Sequence, residues 1–268
     1  MIVMTESLQL HQGPGVNGLF LAKPEDYKLL DILMCRLGDN RDSYQVELPL
    51  EEFLQLAGYA VTDANKNAIR PRLKESAERL GTLTEDWTEG RYTYQNIRFF
   101  DSITYRNGCV YACFGEEMAR YLLGCSTMRL PLSLLAVSGR SSHSYLLGRR
   151  CLVYDAANRG RKQQPIRVKN LLAFCPRITK PAPQEKWSPS ILERKVIDPF
   201  TAAMNSLAAL DILTWNFREP ICRDDYDGFA SSIIEFRVLD TDAPAPPAEP
   251  EVEYTCDSFD YDGFLALR

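Results

Sequence analysis

The stretch Lys66-Asn67-Ala68-Ile69-Arg70-Pro71-Arg72-Leu73-Lys74 places four cations and one amide within nine residues. Asparagine can bridge two atoms of an adenine edge and arginine two atoms of a guanine edge, while lysine suits a phosphate oxygen. A second set with the same chemistry is Lys186, Ser188, Ser190, Arg194 and Lys195. A third joins the glycine-flanked basic run Arg159-Gly160-Arg161-Lys162 to Arg167, Lys169 and Lys180, a composition suited to a phosphate backbone rather than a folded core. Between Arg129 and Lys180 eleven basic residues stand against one acid, Asp155, so this segment carries +10 in a chain whose formal charge is −5. A solvated face normally mixes signs, and this one does not. The pattern points to nucleic acid.

Other chemistries find no support. No GxxxxGK[ST] run is present to hold a nucleotide's phosphates. The two histidines, His11 and His143, are far apart and form no His-x-His pair beside a tyrosine. The eight cysteines contain no CxxC spacing and are expected to be reduced core thiols. Asp225-Tyr226-Asp227-Gly228-Phe229 resembles half a calcium loop, but Ile234 stands where the bidentate glutamate would be. No catalytic residue, metal or cofactor is expected, and the chain is expected to act without catalysis. No run of 18 uncharged apolar residues exists to span a membrane. The first residues lack a basic n-region and include Glu6, so a cytoplasmic location is expected.

The elements that must position these residues follow from periodicity. An apolar face of Tyr27, Leu30, Ile32, Leu33 and Leu37 predicts a helix from Pro24 stopped by Gly38. An extended piece over 44–48 precedes a short helix over 50–57. A third helix, capped by Thr62 or Asp63, runs to Leu80 with Gly81 after it. Strands are predicted over 82–87, 92–105 and 110–114, with Asn107-Gly108 a strong hairpin signal. Tyr92, Tyr94, Phe99 and Phe100 read as sheet core rather than as a base-stacking platform. Three helices followed by a hairpin is the order of a winged helix-turn-helix.

The order recurs. Tyr145-Leu146-Leu147 open a helix 118 residues after Tyr27, and at the same offset the apolar positions of residues 48–56, Pro49 apart, return as apolar in residues 166–174. Ile69-x-Pro71 corresponds to Ile197-x-Pro199, and residues 80–83 to residues 210–213. The proline in each third helix implies a kink or a helix that starts at the proline. The expected fold is α+β: two tandem winged helix-turn-helix domains related by internal duplication, with a disordered or extended acidic C-terminal tail. The boundaries are an N-terminal segment 1–23, domains 24–127 and 128–239, and a linker and tail 240–268. Asp240 to Pro250 is proline- and alanine-rich, and the last thirty residues hold eight acids and one base. Within them Asp260-Tyr261-Asp262-Gly263-Phe264 repeats the earlier pentapeptide letter for letter.

In a helix-turn-helix the third helix enters the major groove while the wing and turn touch phosphates. This assigns Lys66, Asn67, Arg70, Arg72 and Lys74 in the first unit, and Lys186, Ser188, Ser190, Arg194 and Lys195 in the second, to base and backbone contacts. Arg159, Arg161, Lys162, Arg167, Lys169 and Lys180 are assigned to phosphates. Arg149 and Arg150, inside a first helix, are candidates for internal ion pairs instead.

An ordered series of motifs resembles a known family. Asn96-Ile97-Arg98-Phe99-Phe100-Asp101-Ser102, then Phe114-x-x-x-Met118-Ala119-x-Tyr121-Leu122 and Met128-x-Leu130-Pro131-Leu132-x-Leu134-Leu135, are similar to the Rep replication initiators of plasmids and integrative elements. Ser144-Tyr145-x-Leu147-Gly148-Arg149-Arg150, Ile166-x-Val168-Lys169-x-Leu171-Leu172 and Val196-Ile197-x-Pro199-Phe200 continue the series. The resemblance implies an initiator that binds repeated sites in double-stranded DNA at an origin, opens an adjacent AT-rich region and recruits host replication proteins. It also implies exchange between a homodimer, paired through the first domain, and an origin-binding monomer whose second domain is the main reader. The acidic tail and net negative charge depart from the family pattern. Two roles fit the tail: its pentapeptide competes with DNA for the basic face or with the first copy for its docking site, or the tail is merely solubilising. Competition with DNA predicts that deleting residues 241–268 tightens DNA binding at low salt. The alternatives to an initiator are a winged-helix transcriptional regulator or autorepressor, and a winged-helix protein-docking module.

Overall fold

The computed structural model describes residues 7–11, 21, 23–39, 43–89, 92–125, 127–137, 142–158, 164–175, 178, 181 and 187–239. Helix α1, Pro24–Asp39, is the centre of the molecule. Leu29, Leu30, Ile32, Leu33, Met34 and Leu37 are wholly buried, so the helix is covered on nearly every side. Its polar residues Asp26, Lys28 and Asp31 are buried with them and must find partners, which are described below.

After α1 come strand β2 (Gln45–Pro49), short helix α2 (Leu50–Leu56) and long helix α3 (Asp63–Leu80). Strand β1, Ser7–His11, precedes α1. Thr62 caps α3 by accepting the Asn65 N–H at 3.2 Å. The helix runs through Pro71 from Asp63, so the alternative start at the proline is not adopted. Four strands follow: β3 (Thr84–Glu89), β4 (Tyr92–Arg98), β5 (Phe100–Arg106) and β6 (Cys109–Phe114). The single run expected over 92–105 is thus two strands. They part at Phe99, whose ring is buried and whose N–H bonds to Leu83 O at 3.1 Å. Phe100 is buried too, bearing out its reading as core. β3 and β4 make a two-stranded ribbon, and β2, β6 and β5 an antiparallel sheet with β6 in the middle.

Helix α4 (Glu116–Gly124), strand β7 (Thr127–Pro131) and one-turn helix α5 (Leu132–Leu135) lead into the second half, and β7 pairs antiparallel with β1. The order then repeats: helix α6 (Ser142–Ala157), strand β8 (Gln164–Arg167) and short helix α7 (Val168–Leu172). A compound third helix and strands β9 (Leu213–Phe217) and β10 (Ile233–Val238) complete it. The sheet order is β8-β10-β9, again with the last strand in the middle. In both sheets an apolar pair crosses from the edge strand to the middle one, Leu48 to Val110 and Ile166 to Ile234.

Two features of this half differ from expectation. The third helix is α8 (Pro189–Leu192), a π turn (Glu193–Ile197) and α9 (Asp198–Ala209) in succession. Pro199 has no N–H to give the carbonyl four residues back, and its ring would collide with it. The wider turn, in which the Asp198 N–H reaches Glu193 O, lets the helix continue past it. Strands β9 and β10, moreover, are joined through a helix, α10 (Tyr226–Ser231), rather than by a tight turn. Asp225 is its N-cap, with Oδ1 accepting the Gly228 N–H at 2.7 Å, so the pentapeptide that resembles half a calcium loop is a helix start. Among the described residues, no group of His, Cys, Asp and Glu is placed to hold a metal, and no helix is long and apolar enough to cross a membrane.

Candidate nucleic-acid interface

Helix α3 is mounted rigidly. On its inner face Ile69, Leu73, Ala77 and Leu80 are buried. Arg79 grips Asp26 of α1 through two hydrogen bonds, Nε to Oδ2 at 2.9 Å and Nη2 to Oδ1 at 2.7 Å, and the Ser76 hydroxyl donates to the same carboxylate at 2.6 Å. The turn before the helix is equally fixed. Gly58 sits at φ +75°, and a Cβ there would lie 2.5 Å from the Ala136 Cβ, so neither the backbone angle nor the space admits another residue. The Asn65 amide donates to Ala60 O at 2.7 Å across the turn.

The outer face follows from a step of about 100° per residue. Asn67, Arg70 and Lys74 fall within about 60° of arc and are all exposed. Among the described residues none of the three has an ion pair or side-chain hydrogen bond, so their donors are free to meet a ligand. The other two residues of the stretch point elsewhere. Lys66, at the edge, is held by Glu51 of α2 at 2.5 Å, and that hydrogen bond raises its pKa. Arg72 lies about 160° around from Arg70, near Glu25 of α1 at 3.9 Å. The sequence-selected set is therefore split: three residues share a stripe, Lys66 flanks it and Arg72 leaves it.

In the second half, Arg194 and Lys195 are exposed on the π turn, and Ser188 and Ser190 are exposed at the helix start with their hydroxyls 3.1 Å apart. The Lys195 ammonium stands 4.6 Å from the centre of the Trp187 ring, which fixes its direction. Glu193 takes Arg223 at 2.5 Å, tying the connection between β9 and α10 to this helix. Arg167 and Lys169 are exposed where β8 runs into α7. Arg159, Arg161, Lys162, Lys180 and Lys186 lie outside the described residues.

Part of the charge asymmetry lies in the interior. Arg149 and Arg150 are buried: Arg149 pairs with Asp31 of α1, and Arg150 stacks 4.3 Å from the centre of the Phe174 ring. Two of the eleven cations between residues 129 and 180 thus serve the interior. In the other direction, two exposed cations escape notice in the sequence because each stands alone there. Arg106 borders the Asn107-Gly108 turn between β5 and β6, with its guanidinium 4.6 Å from the Tyr111 ring centre. Arg237 lies on the face of β10 opposite the buried Ile234 and Phe236. The alternation of that strand is the signal that would have found it.

The junction between the halves is polar. Arg149 of α6 donates to Asp31 through Nε at 2.8 Å and Nη2 at 2.9 Å, and Tyr145 Oη donates to the same carboxylate at 2.5 Å. The Arg149 guanidinium also stands 5.4 Å from the Tyr27 ring centre. Lys28 donates to the carbonyls of Leu135 and Val137 at 2.5 and 2.6 Å, and burial pushes its amine down to about 8. These contacts join α1 to α6 and to the end of α5.

No family model matches the chain, and no curated protein does. Solved structures are similar. The Pi initiator protein, in complex with iteron DNA, superposes with a TM-score of 0.57 at 14% identity over 89% of this chain and all of that one. Two structures of domains 2 and 3 of RctB give TM-scores of 0.48 and 0.43 at 12% and 11% identity, covering 82% and 81% of this chain and 83% and 82% of theirs. In fold, this chain is similar to the Pi initiator protein across the whole length of that protein's structure.

Proposed function

We propose that the chain is a sequence-specific double-stranded DNA-binding protein that initiates plasmid-type replication at repeated origin sites, acting by binding rather than catalysis. On this reading it consists of two tandem winged helix-turn-helix domains, residues 24–127 and 128–239, related by internal duplication. The observation that carries the reading is the stripe of Asn67, Arg70 and Lys74. It offers a base-reading amide, a guanine-type fork and a phosphate cation on one exposed face of a helix that is locked from behind. The fold that displays the stripe is similar to that of a protein solved on iteron DNA. Arg194, Lys195, Ser188 and Ser190 form the corresponding surface of the second domain, and Arg167 and Lys169 take phosphates.

The test is binding to the DNA upstream of the chain's own gene against a scrambled duplex, across a salt series. With six to ten phosphate contacts, affinity falls about 10³- to 10⁵-fold between about 50 and 200 mM salt, on top of a clear sequence preference. A footprint of direct repeats fits an initiator, whereas one inverted repeat over a promoter would make the chain a regulator. Salt-independent or absent binding would overturn the DNA reading and leave a protein-docking module.

A further inference from the structure

Four of the five positions of Asp225-Tyr226-Asp227-Gly228-Phe229 are explained by what they touch. Asp225 caps α10. Tyr226 is half-buried against the core. A Cβ on Gly228 would lie 2.5 Å from Cys222 Sγ, so glycine lets α10 sit against that side chain without displacing it. Phe229 is the anchor, wholly buried with its ring centre 5.9 Å from Phe200 and 6.2 Å from Phe217. Only Asp227 is exposed and uncommitted.

The same pentapeptide stands again at Asp260-Tyr261-Asp262-Gly263-Phe264, outside the described residues. A solubilising acidic tail needs neither a buried-type phenylalanine nor a helix-weakening glycine at fixed spacing from an aspartate. We infer that the site formed by Phe200 and Phe217 accepts either copy, so that Asp260–Phe264 exchanges with Asp225–Phe229 of the same chain. Geometry favours the chain's own tail. Val238, where β10 ends, pairs with Leu213, while Phe217 pairs with Ile234 in the same sheet. The tether therefore starts roughly 13 Å from the site at about 3.3 Å per residue. Twenty residues separate Leu239 from Asp260, enough chain to cover that distance several times over. Covalent connection makes this encounter intramolecular, whereas another molecule's tail has to be met in solution. One difference biases the exchange. Ala230, the residue after the first copy, is buried, and the second copy has the bulkier Leu265 there, so the resident helix holds the site in most molecules. Displacing it also breaks the Arg223–Glu193 pair and uncovers α7 beside Lys169, which couples the exchange to the third helix.

A double-mutant cycle on the full chain tests this without any ligand, so its result is independent of the DNA reading. Phe264→Ala alone leaves the thermal midpoint where it was. Phe229→Ala is rescued in part by Phe264, so the double variant melts below Phe229→Ala. Equal midpoints for Phe229→Ala and the double variant overturn the proposal. Should Phe229→Ala fail to fold, hydrogen exchange at the Phe229 and Ser232 amides, bonded to Asp225 O and Phe229 O, decides. Phe264→Ala removes the competitor and slows their exchange at least about twofold. Unchanged rates overturn the exchange, and rates that depend on protein concentration overturn the choice of the chain's own tail.

Discussion

Asn67, Arg70 and Lys74 differ in what their loss should do. Arg70→Ala should weaken specific binding by about 1–3 kcal/mol and relax preference at one base pair, while Lys74→Ala should weaken all sequences alike and lower the salt slope by about 1. Titrations of cognate and single-mismatch duplexes separate the two outcomes, and equal losses for both variants would deny Arg70 a reading role. Composition selects all five polar residues of this stretch. Only the angle around α3, and knowledge of the face that α1 covers, removes Arg72 and sets Lys66 aside. Lys28 marks the limit at this scale, for nothing local in the sequence distinguishes it from a solvated lysine. Its buried amine titrates at about 8, against about 10.4 in an unfolded chain. Between those values the unfolded chain binds the extra proton, so this group adds stability as pH rises from about 8 to 10. The buried thiols of Cys151 and Cys175, pushed up by burial, act in the opposite sense. The difference in urea midpoint between the wild type and Lys28→Met should therefore grow in the wild type's favour over that range. A constant difference would show that the amine does not titrate there.

Helix α6 meets α1 through groups that cannot be left alone. Arg149→Met would strand the Asp31 carboxylate in the interior with only the Tyr145 hydroxyl, a change that costs about 3–5 kcal/mol, whereas Asp31→Leu with Arg149→Met should recover most of it. Denaturant unfolding of the two variants checks this, and a double variant no better than the single would mean that the pair is not the issue. Element order and boundaries were largely legible, because the start and stop signals are local: Thr62 caps α3, and Gly58 turns the chain before it. The π turn was not. Its cause is local, but Pro199 admits a break, a kink or a widened turn, and packing of Val196, Ile197 and Phe200 selects the last. Helix α10 was missed because six residues are too few for periodicity to show.

The two halves share one continuous core that runs from Leu48 and Phe114 through α1 to Leu171 and Phe236. Calorimetry should accordingly give a single transition for the wild type, with Arg149→Met splitting it in two; two transitions in the wild type would mean that the halves are energetically separate. The recurring order of elements had a counterpart in the sequence, the apolar matches at an offset of 118. How the halves meet had none, since the contacts join residues far apart. Yet the meeting obeys the same offset: Asp31 faces Arg149, and Tyr27 and Tyr145 each lie against the other half's member of that pair. On the duplication we propose, 31 and 149 are one ancestral position that now carries opposite charges. A gene conversion that copied one half's helix over the other would set two carboxylates, or two guanidiniums, face to face in a site closed to water. The two halves are free to drift apart in sequence, but recombination between them is penalised at this one position.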